Sequence, residues 1–249
     1  MKLTVLGCWA PYPRPWGACS GYLVQEGDVN VLLDCGHGVV ARLQQHVDFR
    51  QLDAVVITHF HWDHFADLFA LIHAVRGAFR DGSRNTPLPV FLPAEPEDRR
   101  GHLDKYGHYV QRQNIEPGVS VMLADGKMSL TFYPTRHSLP CYAVAVEGGG
   151  KRLVYTADTG WEEGLVSFAA GADLLLAEAS FPGESKEEAE AAGHLTAAMA
   201  GELAHKTQVK SLMLTHFWPE YNIEELRREA EESKGGPVIL AMEGRTYNI

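Results

Sequence analysis

Apolar residues in the first third of the chain fall into short blocks separated by polar turns. Residues 2–7, 22–25 and 29–34 read as strands, the last two paired across the Glu26-Gly27-Asp28 turn. The period then changes. Residues 39–47 predict a helix, and 52–58 form a continuous apolar run suited to a strand buried on both faces. Phe65, Leu68, Ile72 and Val75 recur at helical spacing. Residues 87–93 hold a short strand between prolines, and the polar segment 95–113 predicts a helix. The second half repeats the plan with strands over 119–123 and 129–133, then 142–146 and 152–156 joined by Gly148-Gly149-Gly150. Beyond them helix and strand alternate: helix 165–170, strand 173–177, helix 196–206, strand 211–215, helix 223–233 and strand 238–242. Two similar halves of this kind predict two mixed sheets face to face with helices outside. No low-complexity linker interrupts them, so one domain over 1–249 is expected.

The bulk numbers narrow the class. With 249 residues, 45% hydrophobic and 22% charged, the chain has enough apolar mass for a sizeable core, which excludes disordered and fibrous classes. The net charge of -10 means that the surface as a whole repels polyanions, so nucleic-acid binding would need a local cleft acting against the global sign. No apolar stretch reaches the roughly 20 residues that cross a bilayer, and the Met1-Lys2-Leu3-Thr4-Val5-Leu6-Gly7 start has no extended apolar leader. A cytoplasmic protein with no membrane partner is expected. Cys8, Cys19, Cys35 and Cys141 form no C-x-x-C pair and read as small buried hydrophobes in a reducing compartment.

The chemistry concentrates in Thr58-His59-Phe60-His61-Trp62-Asp63-His64, where the apolar strand ends and the amphipathic helix begins. Residues two apart in extended chain project to the same side, so His59 and His61 can grip one ion, while Asp63 and His64, at the turn into the helix, can reach a second. Imidazole nitrogen and carboxylate oxygen suit zinc, with manganese or iron as alternatives. Four donors do not fill two coordination spheres. Further donors are expected at other strand ends, where His137, Asp158 and His216 stand.

These residues resemble the metallo-β-lactamase superfamily, and within it the ribonuclease Z-like phosphodiesterase branch. The likeness extends over Leu33-Asp34-Cys35-Gly36, the H-x-H-x-D-H cluster, His137-Ser138, Asp158-Thr159, Glu178-Ala179-Ser180-Phe181, Gly193-His194-Leu195-Thr196 and Leu214-Thr215-His216. It implies an α/β fold, the four-layer αββα sandwich. By the same likeness His59, His61 and His137 hold one metal, Asp63, His64 and His216 the other, and Asp158 bridges them. The implied activity is hydrolysis at a dinuclear site with a bridging hydroxide. Asp63 is also counted catalytic, and His194, oriented by Glu178, stabilises developing charge or protonates the leaving oxygen.

Departures from the branch bear on substrate. Ribonuclease Z proper inserts a tRNA-gripping arm between the positions matching His137 and Asp158, and only one hairpin fits here. Ala177 stands where histidine is common, Leu195 where serine is, and His37 where an acid is frequent. These features favour a small-molecule or nucleotide phosphodiester over tRNA. The rival readings are a ribonuclease Z-type tRNA 3′ endonuclease, a thioester or lactam hydrolase, and a non-catalytic scaffold. Asp158 speaks against lactamases, the Glu178 and His194 pair against thioester hydrolysis, and the complete donor set against a scaffold. A homodimer is left open. The aromatic first loop, with Trp9, Tyr12 and Trp16, is expected at the cleft mouth as substrate-binding surface together with Trp218, core-capping being the alternative. Trp62, beside the donors, reads as pocket wall or packing. His46, His73, His102, His108 and His205 read as surface or structural, and Arg99-Arg100 and Arg227-Arg228 as solvated helix faces balanced by adjacent acids.

Overall fold

The computed structural model describes residues 1–249. Its strands are β1 (Lys2–Gly7), β2 (Gly21–Glu26), β3 (Val29–Leu33), β4 (Ala54–Val56), β5 (Leu88–Leu92), β6 (Val110–Asn114), β7 (Ser120–Leu123), β8 (Met128–Pro134), β9 (Tyr142–Gly148), β10 (Lys151–Tyr155), β11 (Leu174–Glu178), β12 (Ser211–Thr215), β13 (Ile239–Leu240) and β14 (Thr246–Asn248). The helices are α1 (Val39–Leu43), α2 (Trp62–Phe65), α3 (Leu68–Arg80), α4 (Glu97–Arg100), α5 (Glu163–Ala169), α6 (Lys186–Ala192), α7 (Ala197–Thr207) and α8 (Ile223–Lys234).

Two seven-stranded sheets result, ordered β14-β1-β2-β3-β4-β5-β6 and β13-β12-β11-β10-β9-β8-β7. The β2–β3 and β9–β10 turns make antiparallel hairpins, whereas β3-β4-β5-β6 and β10-β11-β12-β13 pair in parallel. Helical crossovers cover the outer faces, as parallel pairing requires. The largely apolar character of β3, interrupted only by Asn30, follows from burial on both sides. Val31 and Leu33 join the larger core of 49 buried residues shared with the second sheet, while Leu32 points into a second core of 24 beneath α1 and α3. Tyr22 meets Tyr155 at 4.9 Å between ring centres, and Phe91 meets Phe132 at 6.1 Å, so aromatic pairs join the sheets. Each large side chain buried this way contributes about 1.5–3 kcal/mol of transfer free energy.

Most expected elements are present, several shortened. The 39–47 helix is the five-residue α1, and the 52–58 strand narrows to β4. The one clear correction is 95–113. Its start forms α4 and a 3-10 turn over Gly101–Tyr106, but its end is β6, an edge strand paired with β5. Polar residues there face water from a sheet edge, which removes the alternation that would mark a strand. Helix α6 and strand β14 were not anticipated.

Candidate metal centre

Parallel pairing carries the C-terminal ends of β4, β10, β11 and β12 to one edge of the sandwich, and β8, antiparallel to β9 and so running the same way as β10, ends there too. The chain continues from these ends into His59, His137, Asp158 and His216, while Glu178 is the last residue of β11. A bond from Tyr142 N to Thr58 O, 3.2 Å, ties the two sheets together there. Asp34, Ala157 and His216 all adopt left-handed backbone, with φ of 57°, 51° and 59°. Non-glycine residues seldom do so, and held strain of this kind collects at functional sites. Glycine is required at Gly36, where a Cβ would lie 1.9 Å from the Asp63 carbonyl oxygen. That close approach lets the Asp34-Cys35-Gly36 segment pack under α2.

All seven expected donors converge. His59, His61, His137 and Asp158 offer donor atoms within 4.8 Å of one another, as do Asp63, His64 and His216. Asp158 lies between the sets. Its Oδ2 is 3.5 Å from His59 Nε2 and 3.7 Å from His137 Nε2, and its Oδ1 is 3.3 Å from His64 Nε2 and 3.1 Å from His216 Nε2. Asp63 Oδ2 completes the second set, 3.5 Å from His64 Nε2 and 3.4 Å from His216 Nε2. The edge of a tetrahedron drawn around an ion with bonds of about 2.0–2.1 Å is about 3.3 Å, the same size as these separations.

The hydrogen-bond network fixes which imidazole nitrogens face inward. Asp34 accepts from Thr58 N, Thr58 Oγ1, Tyr155 OH and His64 Nδ1, at 2.8–3.0 Å. Having given its proton to Asp34, Thr58 Oγ1 accepts from His59 Nδ1 at 3.2 Å. His137 Nδ1 donates to the Gly193 carbonyl at 3.0 Å. Ser180 Oγ donates to Glu178 Oε2 at 2.7 Å and so accepts from His216 Nδ1, also at 2.7 Å. Four rings are thus protonated on Nδ1 and turn a bare Nε2 lone pair inward. His64 Nε2 and His216 Nε2 face each other at 3.0 Å, and His61 Nδ1 lies 3.0 Å from both His59 Nε2 and His137 Nε2. Opposed lone pairs repel unless a cation lies between them. Asp158 Oδ1 is buried without a hydrogen-bond donor, which is the arrangement a cation satisfies.

Electrostatics agree. Burial and the neighbouring imidazoles push His59 well down and His61 to about 4, leaving both neutral and ready to bind metal. Burial opposes charge on His64 as well, but Asp158, Asp63 and Asp34 together outweigh it and push its pKa up, so the carboxylates draw a positive charge to its Nε2, where a proton and a metal cation compete. Burial works against ionised Asp158 and Asp63, yet the surrounding imidazoles hold both below the usual carboxylate range.

His194 stands beside this cluster because two helices stop and start around it. Gly193 closes α6 in left-handed conformation, φ 74°, and Thr196 caps α7 by accepting from Met199 N. His194 Nδ1 donates to Glu178 Oε1 at 2.8 Å. Burial lowers its basicity, but the Glu178 charge and hydrogen bond prevail and raise its pKa to about 9, so the ring is cationic at neutral pH.

A cavity of about 430 Å³ opens over the donors, with His61, Asp63, Asp158, His194 and His216 at its base and Pro11, Trp62, Phe181 and Trp218 among its walls. Trp218 is where it was expected. Trp9 is not: it is 7% exposed, packs on Phe217 and donates from Nε1 to Glu243 at 2.9 Å, so core-capping is its role. Tyr12 stands outside the wall, edge-on to Trp218 at 6.2 Å. Trp16 is 96% exposed and lines no part of the cavity. Arg99 is not balanced by an acid, for it donates to the Phe60 carbonyl and lies 6.0 Å from the Trp62 ring. The sequence reading gave no role to Asp34, Ser180 or Phe181, whose partners lie far away along the chain. His46, His73, His102, His108 and His205 are exposed and outside the cluster, as expected.

Two face-to-face mixed sheets with a buried histidine–aspartate cluster at their common edge define a metallo-hydrolase scaffold. The chain belongs to the metallo-β-lactamase superfamily, its residues 29–217 matching the beta-lactamase superfamily domain, and it falls in the ribonuclease Z-like branch. It is 34% identical over 247 residues to the probable metallo-hydrolase YhfI of Bacillus subtilis (strain 168), covering 98% of each chain. The crystal structure of that protein superposes with a TM-score of 0.91 at 31% identity, over 99% of this chain and 98% of the other. A ribonuclease Z of Bradyrhizobium sp. (strain ORS 278) is 31% identical, over 92% of this chain and 93% of that protein. No helix is long and apolar enough to cross a membrane.

Proposed function

We propose that this protein is a dinuclear metal-dependent phosphodiesterase acting on a small or nucleotide-type phosphodiester. The observation that carries the reading is the pairing of two donor sets around one carboxylate, Asp158, with a cationic His194 facing the same cavity. His59, His61 and His137 would hold one divalent ion, Asp63, His64 and His216 the other, and Asp158 would be shared. Zinc suits the histidine-rich set best, and manganese or iron can use the same donors. The ions would supply Lewis acidity, polarising the phosphoryl group and acidifying water at the site.

The chain's own groups do the rest. His194, charged and anchored through Nδ1 to Glu178, presents Nε2 to the substrate. It stabilises charge building on the phosphoryl oxygens and gives its proton to the departing alkoxide. Asp63, held below the usual carboxylate range, is too weak a base to store a proton and instead orients the attacking water by accepting a hydrogen bond. Trp218 and Phe181 exclude water and offer apolar surface to the ester group. Donors come from segments as distant as 59 and 216, which supports reading residues 1–249 as one domain. Four unpaired buried cysteines suit the cytoplasm.

A second reading, tRNA 3′ processing, draws on the likeness to proteins named ribonuclease Z. Against it, only the β9–β10 hairpin lies between His137 and Asp158. The test is a substrate panel with the purified protein and its metals counted: bis-p-nitrophenyl phosphate, a 2′,3′-cyclic nucleotide, a precursor tRNA, a β-lactam and a thioester. Turnover of the first two, lost on chelation and restored by metal, is expected. Cleavage of tRNA alone would move the assignment to the second reading, and activity confined to the lactam or thioester would overturn both.

A further inference from the structure

A second cavity, of about 560 Å³, lies on the outer face of α3 and shares no lining residue with the one over the donors. His73, Arg76, Gly77 and Arg80 follow one another at i, i+3, i+4 and i+7, which puts them on one stripe of α3, away from the buried Leu68, Leu71, Ile72 and Val75. His108 and Tyr109, from the segment before β6, close the other side, and Phe79 completes the lining. The groove is basic and aromatic, and no carboxylate lines it.

This composition runs against that of the whole chain, which carries 32 acidic and 22 basic residues. On α8, Arg227 pairs with Glu224 and Glu231, the pattern of an ordinary solvated face. Helix α3 contains no acidic residue at all. Of the acids adjoining the groove segments, Asp81 accepts from Ser83 while also feeling the charges of Arg50 and Arg80, and Asp104 pairs with Arg112. Arg80, in the last turn, is favoured by the helix dipole, but that effect does not reach His108, which belongs to another element.

Two local features of α3 work against helix stability. Arg76 and Arg80 are like charges at i,i+4. Gly77, between them, is a poor helix former whose backbone is ordinary, and a Cβ built there meets nothing within 4 Å. Neither packing nor backbone conformation calls for glycine, yet any side chain would fill the floor of the groove. An anion between the guanidinium groups explains both features together.

We propose that this groove is a binding site for a phosphate-bearing aromatic ligand of the nucleotide class, with Arg76 and Arg80 on the phosphates and Phe79 and Tyr109 against the ring. The inference stands apart from the reading of the metal centre. Metal-loaded full-length protein would be titrated calorimetrically with adenosine diphosphate, inorganic pyrophosphate and a 5′-phosphorylated ten-residue single-stranded oligodeoxynucleotide. The diphosphate nucleoside is expected to bind more tightly than pyrophosphate. The Arg76→Gln/Arg80→Gln variant should weaken binding by about tenfold or more. Gly77→Leu should weaken it too, with thermal midpoint held or raised, and hydrolysis of bis-p-nitrophenyl phosphate should be unchanged in both variants. An oligonucleotide that binds more tightly than the free nucleotide, with the same loss in the double variant, assigns the groove to strand ends; the reverse order assigns it to free nucleotides. Equal affinity in wild type and double variant, or no binding of any of the three probes, would overturn the proposal.

Discussion

The two donor sets are built from the same residue types but braced differently. In the first, His59 and His137 are oriented by neutral acceptors, the Thr58 hydroxyl and the Gly193 carbonyl, and His61 borders the open cavity. In the second, His64 is braced by the Asp34 carboxylate and His216 by Ser180, which is itself bonded to the Glu178 carboxylate. A carboxylate behind an imidazole raises its basicity and fixes its orientation, so under the proposed dinuclear reading the second set would be the stronger binder. Both sets reach the cavity, the first through His61 and the second through Asp63 and His216, so the bracing behind the rings and not access is what separates them. Similar ligands therefore do not imply equal sites, because the groups behind the ligands carry the difference.

The largest expected effect comes from removing the one residue both sets share. Asp158→Ala leaves four inward-facing imidazoles with no carboxylate between them. The first set then has no anionic donor at all, while the second keeps Asp63 and the carboxylate-braced His64. Metal analysis should find the first ion lost and the second retained at reduced affinity. Hydrolysis should fall by about a thousandfold or more, since polarisation by the metal pair supplies several kcal/mol. Equal loss of both ions would contradict the asymmetry drawn above.

The first donors were legible in the sequence because four ligand-type residues fall within six positions at a strand end, and His137, Asp158 and His216 because each follows an apolar run. The fold was legible for the same reason: β3, β10 and β12 carry the apolar blocks that parallel burial demands. Legibility ended where partners are remote or the pattern is erased. Trp9 read as cleft surface or core cap, and the choice rests on its acceptor Glu243, 234 residues away along the chain. The strand β6 read as helix because Gln111, Arg112 and Gln113 lie at an edge facing water. Asp34 meets Thr58 and His64 across β3 and β4, and Ser180 joins Glu178 to His216 across β11 and β12, so their bracing roles exist only once strands remote in sequence lie side by side.

The next effect in size concerns His194, whose ring nitrogen lies within 4.8 Å of donor atoms of Asp158 and His216 and which is linked to the second set through Glu178 and Ser180. His194→Ala should lower turnover about a hundredfold with metal content unchanged, the cost of removing one charged hydrogen-bond donor from a developing anion. The raised pKa gives the sign of the pH dependence. The ring is protonated below about 9, so activity is held there and declines as pH rises through that value, or somewhat below it once bound cations repel the ring's charge. The variant should lose this alkaline limb, and a limb that persisted in it would assign the titration to another group.

The smallest effect tests the bracing itself. Ser180 Oγ lies 2.7 Å from both Glu178 Oε2 and His216 Nδ1 and 3.3 Å from His194 Nδ1, so one hydroxyl joins the acid dyad to the second donor set. Ser180→Ala removes the acceptor that keeps the His216 proton on Nδ1, and the ring is freed to protonate Nε2, where a cation needs a lone pair. Affinity for the second ion should fall by about tenfold, and the first should be little changed. Ser180→Thr retains the hydroxyl and should restore most of the loss, which a purely steric role for Ser180 would not produce. If metal titration instead finds the first ion weakened as much as the second, the carboxylate-backed bracing is not what separates the two sites.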